Sequence, residues 1–125
     1  MKYLGVDFGL KRLGLSFSEG QLASPFKVIQ VKNFKDAVLK IEEIVKIEGF
    51  EKVIVGLPEG KIGQTVRGFI NALRKKGLEI EGADETLSSK KASLKMIELN
   101  IPKERRRVND AIAAAIILQN YLDNR

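Results

Sequence analysis

Acidic residues in this 125-residue chain stand where strands end or helices begin: Asp7, the pair Asp84-Glu85, and Asp110. YLGVDFG, residues 3–9, is a short strand-like run that ends in a carboxylate and reaches a glycine two positions later. LEIEGAD, residues 78–84, also closes on an acid, and Asp110 stands just before the apolar run AIAAAIIL. Each acid has an ordinary local reading: a hairpin-turn residue for Asp7, an Asx-turn for Asp84, a helix N-cap for Asn109 or Asp110. Taken jointly, they form the donor set of a hard-cation oxygen site. Carboxylates brought within a few ångströms repel unless cations neutralise them or one is protonated. One or two Mg²⁺ or Mn²⁺ ions would relieve that repulsion. Two such ions about 3.5–4 Å apart would also activate a water and stabilise the leaving oxygen of an in-line phosphodiester displacement.

The residue inventory narrows the chemistry further. There is no cysteine and no histidine, which excludes disulfides, thiolate zinc sites and imidazole acid–base catalysis. The 22 Lys and Arg outnumber the 16 Asp and Glu, for a net charge of +6, and such an excess favours anionic partners, nucleic acid first. The basic residues cluster beside the acids: Lys11 and Arg12 after Asp7, Lys90, Lys91 and Lys95 after Glu85, and Lys103, Arg105, Arg106 and Arg107 before Asp110. A charge run is usually a solvated surface, but here each cluster neighbours a candidate metal ligand and is suited to holding phosphates. Two Tyr, no Trp and six mostly core-patterned Phe argue for recognition of shape and backbone over base stacking. No apolar stretch is long enough for a signal peptide or a membrane span, so a cytoplasmic, membrane-free protein is expected.

The elements that must position these residues follow from hydrophobic period. Residues 2–8 alternate, with Leu4, Val6 and Phe8 on one side and Tyr3, Gly5 and Asp7 on the other. Residues 12–18 do the same, with Leu13, Leu15 and Phe17 opposed to Gly14, Ser16 and Ser18. The short connection predicts an antiparallel hairpin, with residues 25–31 as the third strand of a meander. Helical spacing then covers 34–48 and 64–76, the second helix meeting Gly77 at its C-terminal cap. Between them 52–58 is a buried strand ended by Pro58, and 78–84 is a fifth strand. Two more helices are expected at about 88–99 and 109–123. The last is apolar nearly all round from Ala111 to Leu118, so it should be deeply packed. Ala113 and Ala114 would let its backbone lie close against a sheet, holding Asp110 near the centre of the molecule. The order β-β-β-α-β-α-β-α-α predicts an α/β fold: one domain over residues 1–125, with a five-stranded mixed sheet and helices on both faces.

Two apparent motifs fail on inspection. Gly56–Ile62 has one residue too few between its glycines for a phosphate-binding loop, and Ile62 where Ser or Thr should ligate Mg²⁺. Ser88-x-x-Lys91 matches an acylation motif, but its companions are missing, and Ser88 reads better as a cap of the following helix.

Read together, GVDFGLKRLGLSFSE, VIVGLP, DETLSS and NDAIAAAIILQNYLD resemble the YqgF, or RuvX-like, family, in order from Lys2 to about Asp123. The resemblance implies a ribonuclease H-like fold, related in architecture to the RuvC junction resolvases. It also implies a nuclease associated with 5′-end processing of pre-16S ribosomal RNA and earlier proposed as a Holliday-junction resolvase. By position, Asp7 matches the family's strand-1 Asp, and Asp110 the Asp opening its C-terminal helix. Asp84-Glu85 matches the start of its DER-L-T-S stretch, where Glu85 resembles the third metal ligand and Asp84 is the alternate. Strand phase leaves this choice open: if Leu78 and Ile80 face the core, Asp84 shares their side and Glu85 does not, unless a bulge near Gly82 exchanges them. Thr86 stands where the family usually has Arg, Ser88 where it has Thr, and Glu19 where Asp is common. The loop after GLP is shorter than the family's.

The expectation is therefore a metal-dependent nuclease acting on structured RNA, leaving 5′-phosphate and 3′-hydroxyl ends. A resolvase acting on branched DNA and a non-catalytic rRNA-binding assembly module are the alternatives. The motif DFGLKRLG also resembles the first phosphate loop of actin-like ATPases, which need a second lobe for which this chain leaves no room. A resolvase must address two strands with two sites, so it requires a homodimer. Sedimentation at working concentration tests that alternative, and a monomer counts against it.

Overall fold

The computed structural model describes residues 1–58, 60–84 and 107–124. β1 (Tyr3–Phe8), β2 (Arg12–Ser18) and β3 (Ala23–Gln30) form the expected antiparallel meander. α1 (Phe34–Glu48) leads to β4 (Lys52–Leu57), and α2 (Lys61–Lys75) to β5 (Ile80–Asp84). The strand order is β3-β2-β1-β4-β5, with β1, β4 and β5 mutually parallel. The C-terminal helix, labelled α3, spans Arg107–Asp123. The predicted helix at 88–99 and the Ser88 cap lie outside the described residues.

Both faces of the sheet are covered, as the apolar alternation requires. Leu4, Val6, Leu13, Leu15, Val53 and Val55 pack with Val38, Ile41 and Val45 of α1 and Val66, Phe69, Ile70 and Leu73 of α2. On the opposite face Tyr3 and Ile54 pack with Ile117, Leu118 and Leu122 of α3. Elements differ from expectation mainly at their ends. β5 starts at Ile80 instead of Leu78, and β3 spans Ala23–Gln30 instead of 25–31. α2 begins at Lys61, three residues early, because two glycines shape its entry. Gly60 takes φ +83°, and a Cβ on Gly63 would sit 2.7 Å from the Pro58 carbonyl oxygen. At the other end Gly77, at φ +86°, donates to Arg74 O at 3.0 Å, and Leu78 N–H points to Leu73 O at 3.4 Å. That is the Schellman pattern, with the left-handed glycine one residue past the capping Lys76.

α3 lies unusually close to the β1–β2 ladder. A Cβ on Gly5 would collide with Ser16 Oγ and come within 2.9 Å of Ala114 O and Leu118 Cβ. One on Gly14 would fall onto the Asp110 carbonyl. Fully buried Ser16 donates from Oγ to Ala114 O at 2.7 Å. At the far end of the helix, Gln119 accepts from Ala23 N–H at 2.9 Å and donates to Gln21 O at 3.0 Å. Beyond it, Tyr121 OH donates to Glu81 Oε2 at 3.0 Å, which also pairs with Lys52 Nζ at 2.8 Å. The helix is thus docked by backbone approach at one end and by polar side chains at the other.

Two predictions follow from this docking. Gly5→Ala and Gly14→Ala should each lower stability by about 1–3 kcal/mol, because the new methyl meets backbone or a buried side chain that cannot yield. Urea denaturation measures this, and unchanged midpoints would show that α3 sits further from the sheet. The second prediction concerns pH. The Lys52 ammonium, which donates a hydrogen bond to the Glu81 carboxylate, holds Glu81 below its ordinary value of 4.5, and Tyr121 assists. A carboxylate with a depressed folded value contributes stability above the unfolded value and loses it as pH falls through the folded one. Glu81→Gln should therefore flatten the acid limb of the stability curve below 4.5. At neutral pH it should cost no more than about 1 kcal/mol, since the pair is partly exposed.

Candidate active site

Asp7 lies on the α3 side of β1, in phase with Tyr3 and Gly5, and directly opposite Gly14 in the β1–β2 register. Gly14 in turn lies under the backbone of Asp110. Two acids far apart in sequence are thereby stacked over one rung of the ladder. Together with residues 8–12 they line a cleft of about 500 Å³.

The hairpin tip that walls this cleft is tightly made. A Cβ on Gly9 would lie 2.6 Å from Arg12 O, so the glycine is what lets the turn close. Lys11 O accepts a hydrogen bond from Val31 N–H at 2.9 Å, tying the tip to the segment after β3. Leu10 and Lys11 project outward, exposed at the rim. Arg12, half exposed, turns inward, and its Nε forms an ion pair with Asp110 Oδ2. That oxygen is itself buried and makes no hydrogen bond among the described residues. The guanidinium compensates its charge without hydrogen-bond alignment.

Asp110 is not a cap, and neither is Asn109. α3 begins at Arg107, so both lie inside its first turn. There the backbone N–H groups face the N-terminus, and the helix dipole favours a negative side chain. Asp84 closes β5 opposite Leu57, on the sheet edge where β1 and β4 also end. The bulge near Gly82 that would exchange the phase of the strand end does not occur: β4 and β5 stay in register from Ile80 to Asp84. Ile80 packs in the α1/α2 core, whereas Ala83 packs against the α3 cluster and Glu81 bonds Tyr121 of α3. Glu85, Lys90, Lys91, Lys95, Lys103, Arg105 and Arg106 lie outside the described residues, and Arg107 is the first residue of α3.

Among the described residues no group of three acids comes together. What they do present suits a hard cation: two carboxylates over one rung, one with a buried oxygen lacking a hydrogen bond. A second groove of about 400 Å³ lies between β3 and α1, lined by Ile29, Ile44 and Ile47 among others, and holds none of the predicted acids. Alternation along each strand groups Gly14 with Ser16 and Gly5 with Asp7, but does not by itself mark these faces as the seat of α3. The signal was there in the run of small residues on adjoining strands, matched to Ala113-Ala114.

Comparison with known proteins agrees with this architecture. A family model described as "RuvX: Holliday junction resolvase" matches residues 1–124. A protein of Endomicrobium trichonymphae named "Putative pre-16S rRNA nuclease" is 35% identical over 133 residues, covering 98% of this chain and 95% of its own. A protein of Fusobacterium nucleatum with the same name is 38% identical over 134 residues, covering 98% and 96%. Among solved structures, T. thermophilus RuvC in complex with a Holliday junction substrate superposes with a TM-score of 0.62 at 17% identity, covering 97% and 94%. Fowlpox virus resolvase in complex with Holliday junction DNA gives 0.65 at 11% identity, covering 99% and 98%. At such identities the structural likeness speaks to the fold, a ribonuclease H-like one. The sequence matches go further: this chain belongs to the RuvX family, a family of nucleases.

Proposed function

We propose that this protein is a cytoplasmic, divalent-metal-dependent nuclease that hydrolyses phosphodiester bonds in structured RNA, in 5′-end processing of pre-16S rRNA. The observation that carries this reading is the convergence of Asp7 and Asp110 on one cleft, with a buried carboxylate oxygen that lacks a hydrogen bond among the described residues. The substrate is proposed from the names of the relatives, which match nearly the whole chain.

In this reading Asp7, Asp110 and Glu85 hold Mg²⁺ or Mn²⁺, and Asp84 is the alternate third ligand. Glu85 is preferred on the resemblance, and β5 leads toward it with Glu81 and Ala83 on the α3 side that carries Asp7. The bound cation supplies activation of a water and neutralisation of charge on the phosphate under attack. The chain's own residues do the positioning. Asp7 is fixed by a central strand, Asp110 by the first turn of a helix docked on Gly14, so neither depends on a loop for its place. Lys11 at the rim, with Lys90, Lys91, Lys95, Arg105, Arg106 and Arg107, binds backbone phosphates and aligns the scissile bond. Water attacks phosphorus in line and the 3′-oxygen leaves, giving 5′-phosphate and 3′-hydroxyl ends.

A second reading, resolution of branched DNA by a homodimer, draws on the description of the family model and on two fold neighbours solved with junction DNA. Purified wild type and Asp7→Asn, offered pre-16S rRNA fragments and four-way DNA junctions with Mn²⁺, separate the possibilities. Asp7→Asn should lose cleavage roughly 100-fold or more, equivalent to about 3 kcal/mol of transition-state stabilisation, while its melting temperature and circular dichroism stay native. Full metal-dependent cleavage by the variant overturns the assignment. RNA binding equal in both proteins, with no cleavage by either, favours a binding module.

A further inference from the structure

We propose that Arg12 is a positioning residue that stands in for the cation. Its guanidinium compensates Asp110 while the metal is absent, must leave Asp110 for the metal to bind, and is thereby released toward the substrate phosphate. This rests on the metal-site reading above and assigns Arg12 a role distinct from that of a rim cation such as Lys11.

The geometry carries it in three steps. Among the described residues Asp110 Oδ2 is buried, makes no hydrogen bond, and forms an ion pair with the Nε of Arg12. A buried carboxylate oxygen without compensation is costly, so the pair stabilises the metal-free fold. Two positive charges cannot cheaply share one buried carboxylate oxygen. A cation bound to Asp110 Oδ2 must therefore displace it. Displacement is feasible because the Arg12 side chain is 50% exposed, whereas that of Asp110 is 26% exposed. An ion pair open to water on the arginine side is worth little enough to be exchanged.

The backbone is held while the side chain is not. Arg12 is the first residue of β2 and pairs with Gln30, with Leu13 beside it paired to Phe8. Swinging the guanidinium away from Asp110 needs only rotations along its stem, which starts within the same cleft that Asp7 lines. A planar, five-donor group released there is shaped to take two phosphate oxygens. Metal entry and phosphate capture thus become linked through one side chain.

Calorimetric titration of Mn²⁺ into wild type, Arg12→Gln, Arg12→Lys and Asp110→Asn, without nucleic acid, tests this independently of activity. Arg12→Gln should bind Mn²⁺ about tenfold more tightly than wild type, because a competing positive charge has gone, and Arg12→Lys should fall between them. Without metal, Arg12→Gln should melt below wild type, and saturating Mn²⁺ should close the gap. A folded Arg12→Gln that binds Mn²⁺ no more tightly than wild type overturns the proposal. If Arg12→Gln does not fold, Arg12→Lys decides alone: unchanged or weaker affinity overturns it. Failure of the underlying reading has a different signature, since Asp110→Asn would then bind Mn²⁺ as wild type does or no protein would bind it. Binding lost in Asp110→Asn but unchanged in Arg12→Gln leaves the metal site standing and removes only the role of Arg12.

Discussion

The close approach of the C-terminal helix to the β1–β2 ladder is the constraint on which the rest of this structure depends. Helices normally pack on sheets through side chains of moderate size. Here Gly5, Gly14 and Ser16 remove those side chains from the strands, and the carbonyls of Asp110 and Ala114 descend into the space. The consequence is electrostatic as well as steric. Asp110 comes to rest over the rung that carries Asp7, and two carboxylates share one cleft on rigid elements. If the strands carried larger residues, the helix would rise and the acids would part.

Such a juxtaposition has a cost that the surroundings manage. Asp110 lies in the first turn of its helix, where the backbone dipole favours negative charge. Arg12 lies against the buried oxygen from the other side. Compensation comes from a helix dipole and a half-exposed arginine, which under the role proposed for Arg12 is weak enough to be exchanged for a cation. At the opposite end of α3, the Lys52–Glu81–Tyr121 cluster secures the helix with ordinary partnered polar groups. The two anchors sit at different ends of the same helix. Under the role proposed for Arg12, that arrangement lets the site change partners without undocking the element that carries Asp110.

Much of the fold was legible because its signals are local and redundant. The alternation in residues 2–8 and 12–18 with a three-residue connection between the strands predicts the hairpin, and the structure pairs Phe8 with Leu13 as that requires. The helical periods at 34–48 and 64–76 predict α1 in place and start α2 three residues late. The late start arose because Gly60 and Gly63 look like a loop, whereas they act through a positive φ and a close backbone contact at a helix entry. The start of α3, at Arg107 instead of 109, differs from expectation for a related reason. Asn109 and Asp110 have cap-forming side chains, but capping depends on where the backbone leaves the helix, and Arg107 is already inside it.

The sequence by itself determined the chemistry that is available and the elements that carry it. Without histidine or cysteine, carboxylates and a cation are the natural means of hydrolysis, and hydrophobic period sets strands and helices whatever their eventual neighbours. Tertiary structure alone decided which of the acids meet. A pleat fixes that Asp7 shares a face with Gly5, but only sheet register brings Gly14 opposite it, and only docking of α3 brings Asp110 above. It also decided that Arg12, readable as one more surface cation, turns inward onto Asp110. Residue type and spacing act over a few positions along the chain. That Asp7 and Asp110 line one cleft is a property of packing, settled by the volume of side chains that are not there.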